Sequence, residues 1–353
     1  DDCARTLLEP LPLSPSMRAQ LAPYCRLKVI VWCLSICVLL VAAGFIVQHL
    51  LSQGGDTHGG LHLTQPGNYD LRLMKGGRLL GCAAPVTMFS GMPKYGCSGA
   101  FATAATCNAA PNPIKDTKYV AAVHRGCQPG HGTYAYAYDD GIGLKQCAPM
   151  AHYEWVLCPN GNEVPQQWPD DAGISPDSTK RFHVSNRCQE PIWIQQGGKL
   201  LPNEEVQKKL YPGGSYSYSV PNRGLPSTRF LPKIGCDDSG NNCLVQSLPP
   251  CPAGGCDMPV DTKFEASFGC KYWGQGNDRA SCTLTGQGQP STYQDWWDGS
   301  AVDGWTLPFS VIVSNGQYPL SPGGVGTAPG CGSVICADLR AETLCPTDEF
   351  LTP

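Results

Sequence analysis

Sixteen cysteines between Cys82 and Cys345 constrain this chain more than any other feature. An even, dense set, among 41 glycines and 32 prolines, implies disulfides formed in an oxidising compartment. Structural zinc is the rival reading. Cys251/Cys256 and Cys331/Cys336 have Cys-x4-Cys spacing, but no Cys/His cluster repeats it. His124, His131, His152 and His183 show no ligand spacing either. No metal and no cofactor is expected. The formal charge is -4 and no basic tract occurs, so nucleic acid is not an expected partner.

Four further cysteines precede residue 40, and two of them lie in VIVWCLSICVLLVAAGFIVQHLL, residues 29–51. That stretch has no charge apart from His49, and its first nineteen residues are almost wholly apolar. About twenty such residues cross a bilayer as a helix. A signal peptide is the alternative, but the run is long, starts late and lacks a small-residue cleavage site. Arg18, Arg26 and Lys28 precede the run, while Asp56 is the nearest charge after it. The positive-inside rule therefore predicts a cytoplasmic tail over 1–28, a transmembrane helix over 29–51 and an extracellular or lumenal remainder. Both the membrane and the cysteines predict a single-pass membrane protein with its disulfides outside. SQGGDTHGG opens a flexible stalk over 52–66.

The outer region reads as two parts. Residues 67–158 hold short runs broken by Gly and Pro, with one helix candidate in TKYVAAVHRGC (117–127). There Tyr119, Val120 and Val123 share a face. A polar, Pro-containing linker occupies 159–179. Residues 180–353 alternate apolar and polar positions between turns, as in RFHVSNRCQEPIWIQQGGK, SYSYSV (215–220) and LPFSVIVS (307–314). The pattern predicts an all-β fold, a disulfide-rich β-sandwich with a small loop-rich second lobe.

Five stretches, in order, resemble the thaumatin-like family of pathogenesis-related proteins. They are HVSNRCQEPIWI, TRFLPKIGCDDSGNNC, KFEASF, DWWDGSAVDGWTLPFSV and GCGSVICADLRAETLCP. CQPGHGTYAYAYDD (127–140) and CAPMAHYEWVLCP (147–159) resemble that family's closing segments, yet they come first. The chain therefore resembles a circularly permuted thaumatin-like domain, with the linker joining the family's natural ends. The halves could pair within one chain or be swapped between neighbours. The resemblance implies the pairs Cys158–Cys188, Cys236–Cys243, Cys251–Cys256, Cys147–Cys331, Cys127–Cys336 and Cys82–Cys345. Cys97–Cys107 would replace two local family pairs, and Cys270–Cys282 would be an addition.

The resemblance also implies a cleft lined by Lys233, Glu265, Asp298, Asp303 and either Asp139 or Asp140. Lys233 stands where the family has arginine, so the planar fork is lost. Trp296, Trp297 and Trp305 flank the aspartates, and Trp296 and Trp305 are the expected sugar platforms. If the cleft were catalytic, Glu265 would be the acid and Asp298 or Asp303 the base of a glycoside hydrolase. The plain alternative is that these aspartates make turns and the tryptophans fill the core. Two functions follow from these readings. One is a membrane-anchored protein that binds β-glucan or another polysaccharide, or serves as an accessory subunit beside other membrane-protein subunits. The other is a weak endo-β-1,3-glucanase or an antifungal defence protein.

Overall fold

A computed structural model describes residues 65–89, 91–109, 114–149, 151–164, 177–248, 260–272, 281–284, 294–314 and 331–353, and the backbone of 317–319 and 325–327. The expected membrane span and cytoplasmic tail lie outside the described residues. Among those described, no helix is long and apolar enough to cross a membrane.

Strands dominate. In chain order, the first part supplies β1 (Gly67–Tyr69), β2 (Arg72–Lys75), β3 (Arg78–Ala83), β4 (Lys145–Cys147) and β5 (His152–Leu157). The second begins with β6 (Ser178–Asn186), β7 (Ile192–Gly198), β8 (Gln207–Leu210), β9 (Ser215–Pro221), β10 (Leu225–Ile234) and β11 (Lys263–Phe268). It continues with β12 (Asp295–Ser300), β13 (Gly304–Trp305), β14 (Phe309–Ser314), β15 (Gln317–Pro319), β16 (Val325–Thr327), β17 (Val334–Cys336) and β18 (Glu349–Leu351).

Two sheets make the body. One has six strands in the order β4-β12-β11-β10-β7-β8, the other five in the order β17-β14-β5-β6-β9. Alternation gives each strand an inner row: Phe182 and Val184 on β6, Phe230 on β10, Phe264 and Phe268 on β11, and Trp297 on β12 are all buried. Phe182 meets Phe264 and Phe230 across the sheets with ring centroids 4.4 Å apart in each pair. Offset aromatic contacts of this kind add to the burial that holds the layers together.

Both parts of the sequence contribute to both sheets. β4 lies beside β12, and β5 lies between β14 and β6. β5 and β6 run parallel, with Tyr153 opposite Phe182 and Leu157 opposite Asn186. Parallel neighbours cannot be joined by a tight hairpin. That is why a long connection, rather than a turn, separates Leu157 from Ser178.

Seven disulfides are described: Cys82–Cys345, Cys97–Cys107, Cys127–Cys336, Cys147–Cys331, Cys158–Cys188, Cys236–Cys243 and Cys270–Cys282. Four of them tie the first part to the second. The seven include five of the six pairs that the resemblance implies, together with the expected replacement Cys97–Cys107 and the expected addition Cys270–Cys282. Cys251 and Cys256 lie outside the described residues.

The helix candidate forms over Lys118–Arg125, capped by the Thr117 hydroxyl, which accepts from the Val120 N–H at 3.2 Å. Tyr119, Val120 and Val123 face inward. The buried Glu349 carboxylate completes the cap by accepting from the N–H groups of Lys118 and Tyr119, at 3.1 and 2.7 Å. A carboxylate at a helix start also meets the positive end of the dipole.

Candidate functional site

The outer face of the six-stranded sheet carries the polar residues of interest. On β10, alternation puts Arg229 and Lys233 outward, while Phe230 points to the core. Register then aligns three strands. Arg229 lies opposite Glu265 on β11, and Glu265 lies opposite Asp298 on β12. Directly opposed residues have Cβ atoms about 4.5–5.5 Å apart, so Glu265 has Arg229 as its neighbour on one side and Asp298 on the other. They line a cavity of about 390 Å³ together with Trp296, Ser267 and Leu144.

A buried anchor fixes β12. Asp295, immediately before Trp296, accepts from both terminal nitrogens of Arg181, from the Tyr153 hydroxyl at 2.7 Å and from the Gly269 N–H at 2.6 Å. With every partner in place, the cost of burying this charge is offset and the strand cannot slide without losing all four bonds.

Asp298 is partly buried and its carboxyl is held well above the ordinary carboxylate range. Burial is the main cause, followed by the neighbouring Glu265; Lys263 opposes the shift and Asp140 adds to it. Of the paired carboxyls, Asp298 is therefore the one whose protonated form the site favours.

The remaining expected residues are placed differently. Asp303 forms an ion pair with the buried Lys263, and its carboxylate is thereby committed. Asp139 is buried, accepts from the Ala135 N–H at 3.1 Å and pairs with His124 at 2.8 Å, so it shapes its own loop. Asp140 is exposed, starts the helical turn Asp140–Gly143 and accepts from the Tyr134 hydroxyl. It is the member of that pair whose charge Asp298 feels.

Lys233 and Trp305 do not line the cavity. Lys233 is only 1% exposed and donates to Gln207 Oε1 at 2.8 Å. Burial pulls its ammonium pKa down. Trp305 is fully buried against Tyr119, ring centroids 5.2 Å apart, because β13 turns it inward beside Cys82. Trp297 is also core, and its indole N–H donates to Cys147 Sγ at 3.4 Å. Of the three tryptophans, Trp296 alone borders the cavity.

Sequence reasoning passed over Arg229. Its signal was present in TRFLPKI, where strand alternation puts residues 229 and 233 on one face. The side chain crosses Gly197: a Cβ there would come within 2.9 Å of Arg229 Nε. The absence of that Cβ makes room for the guanidinium beside the cavity.

No family model matches the chain. The chain is similar to the pathogenesis-related thaumatin-like protein 3.7 of Cryptomeria japonica, at 26% identity over 180 residues, covering 48% of this chain and 65% of that protein. It is also similar to thaumatin-like protein 1 of Castanea sativa, at 36% identity over 81 residues, covering 23% of this chain and 29% of that protein. The chain thus spans less than two thirds of the length of these curated relatives. With the disulfide-rich, mostly β fold, these similarities support the thaumatin-like resemblance.

Proposed function

We propose that the cavity between β10, β11 and β12 is a polysaccharide-binding cleft on a circularly permuted thaumatin-like protein. The observation that carries this reading is Trp296 bordering a cavity that also holds Arg229, Glu265 and Asp298. An aromatic face beside charged hydrogen-bonding groups suits a sugar, which is apolar on its ring faces and polar at its rim. The order of the family-like motifs supports the permutation, as do the four disulfides that join the two parts. The uncharged run at 29–51 supports a membrane anchor that displays the cleft outside the cell or in a lumen. There it would hold β-glucan near the membrane or serve as an accessory subunit.

Co-sedimentation of the full chain, in detergent, with insoluble β-1,3-glucan tests the reading. Wild-type protein is expected in the pellet. Trp296→Ala and Glu265→Gln are expected to stay in the supernatant, and Asp139→Asn to behave as wild type if it folds. Equal retention of all variants would place binding elsewhere.

A second reading is glycoside hydrolysis. The specific observation favouring it is the raised carboxyl of Asp298 directly opposite a second carboxyl, Glu265. Release of reducing ends from β-1,3-glucan, lost in Asp298→Asn, would support it. Binding without such release would leave the cleft a binding site.

A further inference from the structure

Two of the carboxyls expected to make the cleft acidic are engaged elsewhere. Asp303 is matched by Lys263, and Asp139 is enclosed with His124 away from the cavity. What borders the cavity is Arg229 opposite Glu265, with Asp298 beyond. Among the described residues, Arg229 has no ion-pair partner, although Glu265 is its cross-strand neighbour. Its Nε is buried over Gly197 without a hydrogen-bond acceptor. That leaves the terminal Nη groups of a partly exposed side chain as the part a ligand can meet.

We infer that the cleft reads an acidic sugar: the Arg229 guanidinium takes the carboxylate of a uronic acid residue in a polysaccharide chain whose pyranose ring lies on Trp296. The inference rests on the polysaccharide reading of this cavity and narrows its ligand class. The chemistry is complementary. A guanidinium presents parallel N–H groups at the spacing of two carboxylate oxygens, and such paired bonds are stronger than those to neutral hydroxyls. The protonated tendency of Asp298 removes one repulsive charge and supplies an O–H donor on the same wall. A neutral β-glucan would use Glu265 and Trp296 but leave the guanidinium without an anionic partner.

The test compares three probes on the detergent-solubilised full chain at low salt: polygalacturonate, the same polymer after reduction of its carboxyl groups, and soluble β-1,3-glucan. Polygalacturonate is expected to bind about tenfold tighter than its reduced form. Arg229→Lys keeps the charge but loses the fork, and is expected to lose most of that preference while retaining wild-type thermal unfolding. Arg229→Gln should abolish it. Binding of all three probes with equal affinity would overturn the uronate inference and leave the polysaccharide reading standing. A full preference in Arg229→Lys would also overturn it, since a point charge would then suffice. Binding of no polymer would sink both.

Discussion

Glu265 and Asp298 are direct partners across β11 and β12, and Arg229 continues the row on β10. Two carboxyls in such proximity do not ionise independently: the charge on one raises the cost of the other. Burial adds to that cost at Asp298. The row therefore holds a cation, an acceptor and a proton donor side by side.

The first prediction concerns pH. Asp298 in the folded protein keeps its proton above pH values at which the unfolded chain, with a pKa of about 4, has released it. Over that window the folded state binds more protons, so stability falls as pH rises. Asp298→Asn removes this dependence. Denaturant unfolding from pH 4 to 8 should show a flatter profile for the variant and higher stability at the alkaline end. Glu265→Gln should move the wild-type decline to lower pH, because it removes the second cause of the shift.

His183 predicts the opposite slope. It is buried, donates to or accepts from Ser217 Oγ at 2.8 Å, and stacks on His152 with ring centroids 5.7 Å apart. Burial first, then His152 and Lys180, depress its pKa to about 3. The unfolded chain takes up a proton near pH 6.5, which the folded state refuses until much lower pH. Stability should therefore fall on acidification by up to ~1.4 kcal/mol per pH unit from this group. His183→Gln should flatten the acid limb between pH 6 and 4; an unchanged limb would show that His183 is not what drives it.

The two tryptophan environments predict separable phenotypes. Trp305 fills the core against Tyr119, so Trp305→Ala should cost about 3–5 kcal/mol of stability. Trp296 borders the cavity, so Trp296→Ala should change stability by about 0.5 kcal/mol or less. Thermal unfolding of the two variants measures the contrast, and equal losses would contradict the placement.

The bond Cys82–Cys345 spans a sequence separation of 263, the longest of the seven. In the chain-entropy account such a loop is worth about 5 kcal/mol. The double variant Cys82→Ala/Cys345→Ala should lose several kcal/mol in denaturant melts. Peptide mapping of non-reduced monomer should recover the Cys82 and Cys345 peptides linked in wild type; their recovery only from dimers would show swapping between chains.

The strands and the helix were legible because alternation and helical periodicity are local signals; the long-range disulfide pairs were legible only through the resemblance. SYSYSV and LPFSVIVS became β9 and β14, and TKYVAAVHRGC became the capped helix. The cleft was less legible, because its membership depends on what lies above the sheet. Lys233 has the right face by alternation, yet Gln207 takes its ammonium and the chain buries it. Trp296 and Trp297 are adjacent in sequence and point to opposite faces, a distinction that only the β12 register decides. Nothing in KFEASF marks Lys263 as the partner of Asp303; that pairing depends on where the 300–304 loop returns.

The most direct test of the central claim is calorimetric titration of the full chain with a soluble β-1,3-glucan oligosaccharide, beside Trp296→Ala. The account predicts saturable binding at one site, weakened about tenfold or more in the variant while its unfolding stays wild type. The same affinity in both proteins, or no heat of binding in either, would contradict β-glucan in this cleft.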